Sequence, residues 1–553
     1  MIGVIADSKQ HPVVEEFFQL FKTPWEFFKA GSSYEAVLCS GEPPSEVDAR
    51  LVLIFNPKWE SRESENRRLV APGSHSRVLT YRGDRFPIYG ASVTFGSGEA
   101  HPLKDEGTQE PAAQVDEKGS QRRIHIGFDL FHEVHHLLTT GQPPAWARTP
   151  TLDLHIALVR DLMVESCLPV VEIPPVPTRH SFIACLTHDV DHVGIRNHKC
   201  DHTMFGFLYR AIVGSVVKVC RGRMTMRQLC TNWAAVLRLP FVHMGIAKDF
   251  WYQFDRYREI EAGLKSTFFV VPFKGHAGVD TNGAKPSKRA TRYDVSDIVD
   301  EINGITAGGG EVSLHGLDAW IDSREGLKER ERIAKVTGAR EIGVRMHWLC
   351  FGEQSPRILE EGGFAYDSTV GYNECVGFRS GTSQVFKLVG TANLLELPMH
   401  IMDTALFYPS HMNLDPADAD AVVDGLFKNA TRFGGVMTIN WHDRSVAPER
   451  LWGDFYIGML GRLKMRGPWF AKGLDAVRWF KLRRAAALEE VRENGRVVRV
   501  RAKVSGGETG LPGMRLRVSR RANARKISEG GPAATPQVTD KEFESTAEVC
   551  LAA

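Results

Sequence analysis

The sequence predicts an α/β protein: a parallel βα barrel preceded by a small α/β domain. Three observations predict it. From Ser181 to the 440s, short apolar runs alternate with helical stretches, the rhythm of parallel strands joined by crossover helices, and about seven such strands are present. Several of these runs end in Asp, His or Arg, and the carboxyl ends of strands are where α/β barrels place their chemistry. Before residue 170 a second, shorter set of apolar runs makes a separate unit.

Bulk properties agree. A chain of 553 residues is too long for one ordinary domain, and length alone suggests about three or four units. A formal net charge of +2, with 25% charged and 43% hydrophobic residues, marks a globular chain and excludes disordered and fibrous classes. No nucleic-acid partner is implied by that balance. Nine cysteines include no CxxC pair, so neither a disulfide framework nor a cysteine zinc site is expected. MIGVIADSKQ lacks a basic region followed by a long apolar core, so no signal peptide is read and a reducing cytoplasm is expected.

Residues 1–170 form the small α/β domain. IGVIA, EAVLC, RLVLIF, RVLTY and RIHIGF read as strands, Val13 to Phe21 as a helix, and Glu99 to Gln121 as a loose polar loop. No GxGxxG or GxxxxGK[ST] motif follows any of these strands, so no nucleotide site is assigned. His132-Glu133-Val134-His135-His136 fits HExxH, which on a helix sets two imidazoles on one face for zinc and leaves Glu133 as a base. A metalloprotease also needs a third ligand, and Asp153, His155 and Glu165 match no recognised spacing; the alternative is a His-rich amphipathic helix with Phe131, Val134 and Leu138 inward. The proline-rich CLPVVEIPPVPT, Cys167 to Thr178, is helix-incompatible and marks the domain boundary.

The barrel, residues 180–445, opens on SFIACLTHDVD. Phe182 to Leu186 reads as a buried strand that delivers His188, Asp189 and Asp191 to its end. On an extended backbone Asp189 and Asp191 share one face and His188 points to the other. Two carboxylates that close repel unless a proton or cation lies between them, which argues for a metal beside a general base; helix capping or an Asx turn is the plainer alternative. A helical insertion, 192–250, follows. Its Arg221, Arg223 and Arg227 beside Trp233 and Leu237 read as a solvated face over apolar core rather than a nucleic-acid patch, and Met204 to Val217 is too short to span a bilayer but could lie on its surface. The remaining strands are STFFVVPF, EVSLHG, EIGVRMH, FAYDST, LLELPMHI and GVMTINWHD. His315 and Asp318, Arg345 and His347, Asp367, and His442 and Asp443 follow or end them, so all converge on one rim.

These ordered pieces, LTHDVD, KSTFFVVP, EVSLHG, GVRMH, YDST with GFRSGT, and INWH, resemble the polysaccharide deacetylases of carbohydrate esterase type, with the NodB homology domain. The resemblance covers about residues 180–445 and implies a distorted (β/α)7 barrel. It implies Asp189 as general base, Asp191 and His315 as metal ligands, Arg345 as the group that positions Asp189, and His442 as general acid. The second family motif is His-x-x-x-His, and its second position here is Ala319. Asp318 is therefore assigned as the third ligand, with His347, His188 and Asp367 as additional candidates. The cofactor implied is a divalent metal, zinc by donor type. The activity implied is hydrolysis of the amide of an N-acetylated sugar or polysaccharide precursor. The alternatives are a carbohydrate-binding or assembly protein without catalysis and, through HEVHH, a zinc metalloprotease.

Beyond the barrel, 446–490 reads as a helical segment whose Trp452, Phe455, Trp469, Trp479 and Phe480 pack on the barrel, with a peripheral membrane contact open to Lys481, Arg483 and Arg484. Residues 491–526 read as a basic β-hairpin region with Arg499, Arg501, Arg515 and Arg517 on one side, suited to an anionic glycan or membrane, and 527–553 as a disordered tail.

Overall fold

A computed structural model describes residues 1–57, 67–70, 77–96, 101–119, 121–493, 496–504, 510–521 and 536–551. The chain divides into two compact units: Met1–Arg179 with Arg379–Thr382 and Trp479–Ala553, and His180–Phe378 with Ser383–Arg478.

In the first unit, Ile2–Ile5, Trp25–Phe27, Tyr34–Ser40, Ala49–Phe55 and Gln121–Ile126 form a parallel sheet, and Ala113–Lys118 adds an antiparallel edge. The near-continuous apolar runs of these strands match a sheet buried on both faces. The expected loose loop of 99–121 is thus corrected: its second half pairs with Gln121–Ile126, because Val115 and its neighbours alternate in strand fashion. Asp129 caps Leu130–Thr139 by accepting the N–H groups of Phe131 and His132, so HEVHH does sit on a helix.

The C-terminal residues return to this unit. Arg483, 1% exposed, donates to the carbonyls of Ile173, Gln19 and Leu20, and Arg484 pairs with Glu16. The lipid contact left open for Arg483 and Arg484 is therefore not made by them, since both are spent internally. The basic hairpin is corrected as well. Arg496–Lys503 lies between Ala487–Glu493 and Thr546–Cys550, whereas Met514–Arg520 lies between Val170–Glu172 and Gln537–Phe543. The strands at 537–543 and 546–550 fall in the stretch expected to be disordered. They are ordered by charge and backbone pairing: Asp540 takes Arg517 bidentately, and Glu548 takes Arg501 and Arg499. The rest of that stretch, 527–535 and 552–553, lies outside the described residues.

In the second unit, six strands run parallel in the order Val344–Met346, Glu311–Gly316, Ser266–Val270, Ile183–Val190, Val436–Asn440, Ile401–Met402, as a curled sheet with Trp469–Phe470 paired beside Ile183. FAYDST and LLELPMHI, expected as full strands, are shorter. Parallel bridges join Val344 to Asp367 and Asp367 to Glu396. Helices Phe254–Ile260, Val299–Ala307, Ser323–Thr337 and Pro416–Phe433 each precede a strand of the sheet. Asp415 caps the last of these with Pro416 at its first turn, and Gly434 and Gly435, both at positive φ, end it and turn the chain into Val436. The insertion folds as a helical run over His202–Cys220 and a second helix, Met226–His243. Their inner faces bury Phe207, Ala211, Leu239 and Val242 with Ile195 and Trp251.

Candidate active site

Period-2 alternation at the end of Ile183–Val190 sends neighbouring polar residues to opposite sides. His188 points away from the site, to the carbonyl of Trp441 at 2.8 Å and the carboxylate of Glu261 at 3.0 Å, and is fully buried. Asp189 and Asp191 face a cavity of about 490 Å³ also lined by His315, His347, His442 and Arg444.

Asp189 is held on every side. Arg345 donates to Oδ1 at 2.9 Å, and Asn440 donates to Oδ2 at 2.7 Å. Arg345, fully buried, is itself fixed by Thr187 Oγ1, the Ser368 carbonyl and Ser368 Oγ, with its guanidinium 4.3 Å above the Phe269 ring. Burial alone would raise the Asp189 carboxyl; the charge of Arg345, with His315 and His442, outweighs it and holds the group below its ordinary value.

Asp191 sits where the chain turns back. Val193 is left-handed (φ 58), a conformation a β-branched residue adopts only under constraint, and Asp443 supplies the constraint by accepting the N–H of Val193 at 2.7 Å and of His192 at 3.2 Å. Asp191 Oδ1 lies 3.4 Å from His315 Nε2 and 3.7 Å from His347 Nε2. One ligand atom from each of these three residues lies within 4.8 Å of the others, and no other such group occurs among the described residues.

Three features suit this group to a divalent cation. Asp191 Oδ1 is buried with no hydrogen-bond partner. His315 Nδ1 meets the carbonyl of Arg345 at 2.9 Å, so Nδ1 carries the proton and Nε2 presents a lone pair, as in metal sites whose histidine is oriented from behind. Burial pushes His347 down to about 3, which keeps its ring neutral and able to ligate.

Asp318, assigned as the third ligand from sequence, lies outside the group that Asp191 and His315 form with His347. Its carboxylate is taken by His276 at 2.6 Å and by the N–H of Val279 at 2.6 Å, and Glu329 draws the Leu317 and Asp318 N–H groups toward the helix. Ala319 is buried, and a Cβ on Gly326 would lie 3.3 Å from it, so the second position of the His-x-x-x-His motif faces the Ser323–Thr337 helix. Asp367 also stays out. It accepts from Ser368 and Thr369 and abuts Glu396; burial raises both carboxyls and their mutual repulsion leaves a proton between them.

His442 faces the same cavity, with Nε2 3.8 Å from Asp191 Oδ2. Its Nδ1 meets Asp403 Oδ1 at 2.6 Å, and Asp403 Oδ2 accepts the His442 backbone N–H. Burial disfavours the imidazolium, but Asp403, aided by Asp191 and Asp189, lifts it to about 10. The cavity thus sets an ionised carboxylate and a protonated imidazole about one ligand triad, an arrangement able to accept a proton on one side and donate one on the other.

Asp403 and Asn440 were missed from sequence. Both obey the signal that found the others, a polar residue at the end of an apolar run, but the strand LLELPMHI was ended before Asp403 and TINWHD was read for His442 and Asp443. The HEVHH motif serves the fold: Glu133, 1% exposed, accepts the N–H groups of Tyr89 and Gly90, and His136 stacks on Tyr89 at 4.5 Å.

No protein-family profile and no curated protein matches the chain. Solved structures do. A candidate polysaccharide deacetylase from Mycobacterium smegmatis shares 19% identity over 56% of this chain and 95% of its own, at a TM-score of 0.33. A probable polysaccharide deacetylase from Pseudomonas aeruginosa PAO1 shares 16% over 56% and 94%, at 0.33. A CE4 family pseudoenzyme from Bacillus anthracis shares 13% over 42% and 62%, at 0.23.

Proposed function

We propose that the chain is a metal-dependent hydrolase that removes the acetyl group of an N-acetylated sugar or polysaccharide precursor, on a distorted (β/α)7 barrel completed through the bridges at Asp367 and Glu396. The observation that carries this reading is the pair of opposed contacts, Arg345 on Asp189 and Asp403 on His442, about the Asp191, His315 and His347 triad.

An amide is a poor electrophile, and a divalent ion held by Asp191, His315 and His347 would polarise its carbonyl and acidify water. Asp189 takes the proton of the attacking water. Arg345 and Asn440 keep its carboxylate in place and unprotonated until that moment. As the C–N bond breaks, His442 gives its Nε2 proton to the departing amine, and Asp403 stabilises the cationic form beforehand. Acetate and the free amine leave. A sugar-sized group suits a cavity of about 490 Å³, and the half-exposed Trp348 at its edge offers a flat apolar surface for a sugar ring.

The test combines metal analysis with acetate release from N-acetylglucosamine oligomers. The parent binds a divalent ion that Asp191→Ala and His315→Ala lose. Asp189→Asn and His442→Gln keep the ion and the fold but lose about 10²- to 10⁴-fold in rate. Parental rates in both variants would overturn the assignment.

A further inference from the structure

Among the described residues nineteen large hydrophobic side chains are exposed, and twelve of them lie between Phe205 and Ile246. Their spacing is helical. Along His202–Cys220, Phe205, Tyr209, Ile212, Val213 and Val216 fall on one outward side, while Phe207 and Ala211 on the other side are buried. In Met226–His243, Trp233, Leu237 and Phe241 make a second outward stripe, with Ala235, Leu239 and Val242 inward. The solvent side of a surface helix is ordinarily polar. Two neighbouring outward apolar stripes mark a surface with a partner.

Charge selects the partner. From His202 to Lys248 the chain contains Arg210, Lys218, Arg221, Arg223, Arg227, Arg238 and Lys248 but no Asp or Glu, although the whole sequence balances 69 basic against 67 acidic residues. A second copy would set like charge against like. An anionic lipid surface supplies both the apolar depth and the opposite charge.

We propose that this helical pair docks the second unit on an anionic phospholipid bilayer, lying in the interfacial plane. The helical run is longer than the Met204 to Val217 stretch read from sequence, and over His202–Cys220 it is long and apolar enough to cross a membrane by length and composition. It lies flat because it is tied to the unit: Arg210 donates to the carbonyl and carboxylate of Glu449, and Phe207 and Ala211 are buried with Trp251. The helix that carries the first stripe also borders the site: on its other side Gly206, Phe207 and Arg210 line a cavity of about 370 Å³ that shares His192, Trp348, Tyr408, Arg444 and Arg450 with the larger one. This surface stands whatever reaction the site performs.

The full chain is co-sedimented with vesicles of phosphatidylcholine alone or with about 30% phosphatidylglycerol, at low and high salt. The parent should pellet with the anionic vesicles, less with the neutral ones, and less in high salt. Leu237→Glu/Ile246→Glu, at two side chains each 73% exposed, should lose about tenfold or more in binding with an unchanged unfolding transition. Arg221→Glu/Arg223→Glu should abolish the preference for anionic vesicles. The proposal is overturned if the parent stays in the supernatant, if Leu237→Glu/Ile246→Glu binds like the parent, or if light scattering shows a parent dimer that this variant dissolves.

Discussion

At the scale of single residues, the site depends on side chains that never reach the cavity's centre. Asp443 holds Val193 in a left-handed turn that costs about 1–3 kcal/mol, and that turn aims Asp191. Asp443→Ala should therefore weaken divalent-metal binding about 10- to 100-fold, read by metal titration, with Asp191 itself intact. Asp403 has a different role. His442 is raised to about 10, so its protonated form persists through neutral pH and is lost only as pH rises through that value. Asp403→Asn removes the main raising influence, and the alkaline limb of the rate profile should move to lower pH. Asp189, Asp191, His315, Arg345 and His442 were legible in the sequence because each ends an apolar run. The choice of His347 over Asp318 was not, because it rests on His276 and Glu329 pulling Asp318 aside, partners distant along the chain.

At the scale of elements, turns and helix interiors answer differently to the same substitution. Gly435 has φ 92, and a Cβ there would lie 2.4 Å from Ser383 Oγ and 2.6 Å from the Ser383 carbonyl oxygen. Gly435→Ala should destabilise the second unit by about 2 kcal/mol or more in urea unfolding. Gly425, inside Pro416–Phe433, has nothing within 4 Å of its missing Cβ. Gly425→Ala should stabilise by about 0.5–1 kcal/mol. The Leu130–Thr139 helix carries a pH signature. Burial raises Glu133 from 4.5 to about 7 against two backbone N–H donors. Because its folded value exceeds the unfolded one, its contribution is fully present below about pH 4.5 and is lost as pH rises toward 7, amounting to about 3 kcal/mol. Glu133→Gln should flatten stability against pH across that window. HExxH left both a zinc site and a packed amphipathic helix open because a pattern of types cannot tell a glutamate that faces water from one that meets backbone N–H groups.

At the scale of the whole molecule, the two units draw on sequence unequally: the second is nearly contiguous, whereas the first is closed by residues from both ends of the chain. Arg483 is the tie within the first unit. Arg483→Met would strand three carbonyls, two of them buried, and about 3 kcal/mol should be lost, with the 1–179 region cut first in limited proteolysis. The sequence by itself determined the alternation of apolar runs and helices, the face shared by Asp189 and Asp191, and the rim on which the polar residues gather, because strand period and strand ends are local properties. Only the tertiary structure brought His347 rather than Asp318 beside Asp191 and His315, set Arg345 against Asp189 and Asp403 against His442, paired the basic strands with the acidic tail, and turned the insertion's apolar stripes outward. Each of these depends on what packs across from a residue, and that neighbour comes from a distant part of the chain.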